Sequence, residues 1–217
     1  MILIYNELYE ATQLGNKLAV ELFFRANEGN KIDFYNFNAK KLFSSYFHDN
    51  DIDFFEYHFH DRIMGNTLKD NYGTSIAVNS NLKRNRKNFT IAHEIGHIEM
   101  HLDYVDNIYF DTNCFSQDNQ IEKEANAFAA GLLVPRSALI SNLVHNNTAH
   151  QTSVNLGVSK EVLFWRIVNY LSNELNYYSY VQKTVTDYFN CLTREEVLNS
   201  DFISILECAN VSVTRQV

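Results

Sequence analysis

Apolar positions recur along the chain at two periods, and the switch between them outlines its elements. In residues 5–26, Leu8, Leu14, Leu18 and Leu22 fall near helical spacing, with Ala11 and Ala19 between them. That predicts a long first helix. Residues 38–49 predict a shorter second one. From Asp51 to Asp61 the period drops to two. Phe55, Tyr57 and Phe59 take one face, and Glu56, His58 and His60 the other, as in a half-buried strand. Tyr72-Gly73-Thr74 marks a turn, and residues 75–79 (SIAVN) read as a short edge strand. Such an edge could add an extended peptide to a sheet.

Helical spacing returns at Phe89. Ile91, Ile95, Ile98 and Leu102 form one stripe over residues 89–102. A polar loop rich in Asp and Asn follows, from Asp103 to Asp118. Residues 119–134 predict a helix with Ile121, Ala125, Phe128 and Leu132 on its packing face, ending near Pro135. Residues 136–145 continue helically. Ser159 suits an N-cap for a helix running to about Leu171. The last 40 residues are weakly patterned.

Composition narrows the class. Aromatics reach 14%, and one Pro and seven Gly occur in 217 residues. A disordered, collagen-like or turn-rich chain is therefore disfavoured. The net charge of −8 repels phosphate backbones, so direct nucleic-acid binding is not expected. Cys114, Cys191 and Cys208 are odd in number and widely spaced, which suits a reducing compartment. The start lacks a basic segment and a full apolar stretch, so it is not read as a signal peptide. No run approaches 18 apolar residues, so no membrane span is expected. A cytoplasmic protein is the resulting expectation.

The chemistry concentrates in His93-Glu94-Ile95-Gly96-His97. Residues four apart share a helix face, so two imidazoles one turn apart can bind one zinc ion without bending the backbone. Glu94, next to the first His, can act as general base toward a water activated there. On a helical wheel the His pair lies away from the isoleucine stripe, leaving one face to pack and one to bind metal. Gly96 costs about 1 kcal/mol relative to Ala in mid-helix, which suggests close approach by another segment.

Catalytic zinc usually takes three protein ligands and keeps one open position. Four residues are candidates for the third. His101 lies two turns beyond His93, about 12 Å along the axis, too far for one ion to bridge. It reads as a residue behind the ligands. Asp103 sits six residues after His97, but Met100 stands where a chain-reversing Gly would be needed. Glu122 and Glu124 lie on the next helix, and they project about 160° apart on an ideal wheel. Asn126, one turn from Glu122, can accept the second ring N–H of a ligand His, which favours Glu122. Alanines and Gly131 make that helix thin enough for close packing.

The paired segments NFTIAHEIGHIEMH and IEKEANAFAAGLLVP resemble the ImmA/IrrE family of metallo-endopeptidases over roughly residues 72–135. The Glu122-x-x-x-Asn126 spacing and Pro135 also match, and NLGVSKEVLFWRI (155–167) resembles a C-terminal family segment more weakly. The resemblance implies a gluzincin-like site with His93, His97 and Glu122 as ligands of one Zn2+ per chain and Glu94 as catalytic base. It implies an endopeptidase whose partner is a helix-turn-helix repressor of the Xre/Cro type, cleaved to derepress phage, mobile-element or stress genes.

The expected fold is α+β and mostly helical, with a small antiparallel sheet beside a two-helix zinc site in a zincin-like core. Residues 1–150 would form that core with its N-terminal helices, and residues 151–217 a helical extension. Within the extension, Leu156-Gly157-Val158-Ser159 fits the turn of a helix-turn-helix. Its second helix offers Lys160, Arg166 and Asn169 among apolar neighbours, so packing is the better reading. The basic run Lys83, Arg84, Arg86 and Lys87 reads as a solvated loop and helix start. Two alternatives of other classes stand beside the peptidase. One is a non-catalytic regulator that sequesters a repressor. The other is a toxin–antitoxin component with structural zinc. Glu94 weighs against the first, since a binding module needs no base between two ligands.

Overall fold

The computed structural model describes residues 2–28, 30–60, 63–101, 108–111 and 120–208. These fall into two compact units, Met1–Lys31 with Asn38–Pro135, and Ile32–Phe37 with Arg136–Val217. The division expected at residue 150 falls inside a helix, Ala149–Leu156, and the contacts part instead at Pro135. The expected polar loop, with Asp103 and Cys114, lies outside the described residues, as does Leu102. The α+β, mostly helical class is as expected.

The first unit holds α1 (Ile2–Ala26), α2 (Lys40–Asp49), β1 (Ile52–Tyr57), β2 (Gly65–Asp70), β3 (Gly73–Asn79), α3 (Arg84–His101), β4 (Ile108–Asp111) and α4 (Gln120–Leu133). Helix α1 forms where its period predicts, but of Leu8, Leu14, Leu18 and Leu22 only Leu22 is buried. Leu14 is 38% exposed, while Ala11, Thr12, Gly15 and Ala19 are buried. The cause is the proximity of α4. A Cβ on Gly15 would lie 2.2 Å from the Phe128 carbonyl oxygen, and one on Gly131 would lie 2.1 Å from that of Thr12. Only residues without bulk fit such a reciprocal approach. Gly131→Ala would gain about 1 kcal/mol of helix propensity. It must nevertheless push two backbones apart, and a net loss of about 1–3 kcal/mol is expected. A lowered urea midpoint at unchanged slope would report it, and an unchanged midpoint would show that α1 and α4 can separate freely.

The sheet is four-stranded, in the order β1-β3-β2-β4. Pairs β2–β3 and β2–β4 are antiparallel, as expected, but β1 runs parallel to β3. The SIAVN segment lies in β3, which is paired on both sides and is therefore not an edge strand. Its Ile76 and Val78 are fully buried. In β1 the alternation is present, but the burial is inverted. Ile52 is buried and the Phe54 ring stacks on Phe47 of α2 at 5.0 Å. Phe55 and Tyr57 are exposed. Strand β2 was not foreseen. Its sequence, GNTLKD, is poor in strand formers, and pairing on both sides holds it extended.

The second unit is helical: α5 (Arg136–Val144), α6 (Ala149–Leu156), α7 (Lys160–Asn169), α8 (Val181–Asn190), α9 (Arg194–Leu198) and α10 (Asp201–Cys208), with a short 3₁₀ turn at Phe34–Asn36. Gly157 ends α6 in the left-handed region at φ 68°, and Ser159 caps α7 by accepting from Val162 N–H. A π-helical turn, Tyr170–Glu174, continues α7. Arg166 is buried at 1% exposure and donates to Glu174 Oε1 at 2.9 Å. It therefore packs and is withheld from any external ligand. No single described helix is long and apolar enough to cross a membrane.

Candidate metal centre

Helix α3 carries the two histidines, and Gly96 sets how near α4 can come. A Cβ there would lie 3.1 Å from the Phe128 ring and 3.3 Å from Ala125 Cα. Ala125 and Ala129 are fully buried at this crossing. The small residues bring Glu122 and Asn126 onto the His pair. The expectation of one packed and one open face is not met. Helix α3 is buried nearly all round from Asn88 to His97, with His93 and Glu94 at 0% exposure.

His93 Nε2 and His97 Nε2 approach to 2.9 Å. Glu122 Oε2 lies 3.2 Å from the first and Glu122 Oε1 3.6 Å from the second. Ligand atoms of these three residues all fall within 4.8 Å of one another. Among the described residues this is the one His/Cys/Asp/Glu group so arranged. His58 and His60, read as exposed, are exposed and form no such group.

The hydrogen bonds behind the histidines decide what their front atoms are. His93 Nδ1 lies 3.0 Å from Asn126 Oδ1, an oxygen that can only accept. His93 therefore carries its proton on Nδ1 and turns the Nε2 lone pair forward. Burial, then the neighbouring His93 and His101 rings, pushes the His97 pKa down to about 2, so this imidazole is neutral. Glu122 Oε2 is buried with no hydrogen-bond donor on it among the described residues. The His93 lone pair, the neutral His97 ring and Glu122 thus converge in a buried place. Such a set is repulsive by itself and is satisfied by a cation. The residues present fit a divalent ion that accepts nitrogen and oxygen ligands.

Glu94 is positioned from the sheet. Thr67 Oγ1 of β2 donates to Glu94 Oε2 at 2.6 Å. A Cβ on Gly65 would lie 2.7 Å from Glu94 Oε1, so a glycine is needed where β2 passes the carboxylate. Neither residue was foreseen, because β2 carries no apolar alternation. The remaining third-ligand candidates separate cleanly. His101 and Glu124 contact each other, at 3.0 Å, and Asp103 lies outside the described residues. In the basic run, Lys87 pairs with Glu56 at 2.7 Å and Arg86 donates to Met64 Sδ, while Lys83 and Arg84 are exposed.

Comparison with known proteins bears on this centre. The sequence model of a peptidase family, Peptidase M78, described as an IrrE N-terminal-like domain, matches residues 40–167, more than half of the chain. The chain is also similar to a protein of Bacillus phage phi105 called "Uncharacterized immunity region protein 2". The two are 31% identical over 114 residues, which is 52% of this chain and 72% of the relative.

Proposed function

The chain belongs to the Peptidase M78 family, whose IrrE N-terminal-like domain spans residues 40–167, and on that footing we propose that it is a zinc-dependent endopeptidase cleaving a helix-turn-helix repressor. One observation carries the reading. His93, His97 and Glu122 converge with one ligand atom each, and the residue between the histidines is a buried carboxylate. A structural metal site would close with a fourth protein ligand and would have no use for that carboxylate.

His93, His97 and Glu122 would hold the ion, which supplies Lewis acidity toward a peptide carbonyl and toward water. Glu94 takes a proton from the attacking water and returns it to the leaving amine nitrogen. Thr67 holds one oxygen of Glu94, so the carboxylate is oriented before substrate arrives. Asn126 holds the His93 ring in the ligand tautomer.

The phage relative is named for an immunity region, which agrees with the repressor substrate that the ImmA/IrrE resemblance implies. Such a substrate places the reaction in the cytoplasm. The test is to incubate the zinc-loaded chain with a helix-turn-helix repressor from the same genetic element and weigh the products. Two fragments whose masses sum to the repressor plus one water support cleavage. An intact repressor in a stable complex would replace this reading with the sequestering regulator.

A further inference from the structure

Behind His97 the structure holds a chain of polar contacts that the peptidase reading does not use. Gln120 Nε2 donates to Glu124 Oε1 at 2.8 Å. Glu124 Oε2 lies 3.0 Å from His101 Nε2. His101 Nδ1 lies 3.1 Å from His97 Nδ1. His101 is buried at 6% exposure, and both helices of the crossing contribute, α3 with the imidazoles and α4 with Gln120 and Glu124.

The chemistry gives this series a direction. A carboxylate only accepts, so His101 carries its proton on Nε2 and donates it to Glu124. In that tautomer His101 presents its lone pair on Nδ1. The facing His97 Nδ1 must be the donor, which leaves the His97 lone pair on Nε2, toward His93 and Glu122. Were the direction reversed, His97 would carry a proton on Nε2, and that proton would occupy the ligand position. Glu124 therefore determines, two hydrogen bonds away, which nitrogen of His97 can bind an ion.

We propose that Glu124 and His101 are positioning residues for the metal, a carboxylate–imidazole pair that fixes His97 in its ligand tautomer. The inference rests on the reading of His93, His97 and Glu122 as the metal site, and it extends that site to both carboxylates of α4. Glu122 faces the ion directly, and Glu124 acts on it through two imidazoles. Asn126 does for His93 in one step what His101 and Glu124 do for His97 in two.

The test is zinc affinity of the full chain, measured by competition with a chromophoric chelator, with zinc ions alone as probe. Partners behind a ligand histidine typically account for about 10–100-fold in metal affinity. His101→Leu and Glu124→Leu are each expected to bind zinc about 10–100-fold more weakly than wild type. The double variant should bind no more weakly than His101→Leu alone, because the two act in series. His101→Gln restores an acceptor oxygen for His97 Nδ1–H and should recover most of the affinity, which a packing role would not predict. Wild-type affinity in His101→Leu, together with loss of zinc in His93→Ala, overturns the positioning role and leaves the metal site standing. Absence of zinc binding in wild type overturns both. If His101→Leu fails to fold by circular dichroism, Glu124→Leu and His101→Gln decide the question.

Discussion

Glu94→Gln is expected to keep its metal and to cleave substrate about 10²–10⁴-fold more slowly than wild type. The substitution is nearly isosteric. The Thr67 hydroxyl, 2.6 Å from Glu94 Oε2, can donate to an amide oxygen as well as to a carboxylate, and the space left by Gly65 is unchanged. Glu94 is fully buried, so removing its charge also removes a desolvation cost. Stability should therefore hold or rise while activity falls, a combination that damage to the fold cannot produce. What the amide lacks is a site that takes up a proton near neutral pH. The measurement is the rate of repressor cleavage, with metal content and thermal midpoint determined on the same preparation. A wild-type rate in a preparation free of other proteases would remove Glu94 from the role of base.

The parts of the site legible in the sequence are those that one helix period decides. His93 and His97 are four apart, and Glu122 and Asn126 are four apart. Each pair must share a face wherever its helix lies, and the structure brings the two faces together. Thr67 and Gly65 were not legible. Their strand contains Gly, Asn, Lys and Asp, and it is extended because β3 and β4 pair with it. The link from His101 to Glu124 was hidden for a related reason. Distance along α3 excluded direct ligation by His101, and the wheel turned Glu124 away from Glu122. Only the α3–α4 crossing at Gly96 joins the two, and no local period encodes a crossing.

Elsewhere the period was right and the face was wrong. In α1, Leu22 is buried as its period predicts, but Leu14 is exposed and Gly15 beside it is buried, because the separation from α4 selects against bulk there. In β1, Phe55 and Tyr57 alternate as a core face would, and stacking of Phe54 on α2 chooses the other face. In the weakly patterned C-terminal stretch, one signal was available. Thr193 and Glu196 form a capping box that opens α9, and Thr-x-x-Glu is readable without a structure.

Removing the third acceptor should separate metal binding from fold stability in a way that identifies the site. The wild-type chain is expected to carry near one zinc, and Glu122→Ala to lose most of it, as measured by inductively coupled plasma mass spectrometry. Without metal, the buried Glu122 carboxylate faces the lone-pair nitrogens of His93 and His97 at 3.2 and 3.6 Å. That arrangement opposes folding, so metal-free Glu122→Ala should be at least as stable as the metal-free wild type. Zinc reverses the order. An ion that binds only the native state stabilises it by about 4 kcal/mol at a thousandfold excess over Kd. Zinc should therefore raise the thermal midpoint of wild type strongly and that of the variant little. A carboxylate with a purely structural role would give the opposite sign in the metal-free pair, with the variant less stable. Full zinc occupancy in Glu122→Ala, with an undiminished shift, would mean that the carboxylate does not hold the ion. The third ligand would then have to come from His101, Glu124 or Asp103, and the first two would require the α3–α4 crossing to rearrange around Gly96.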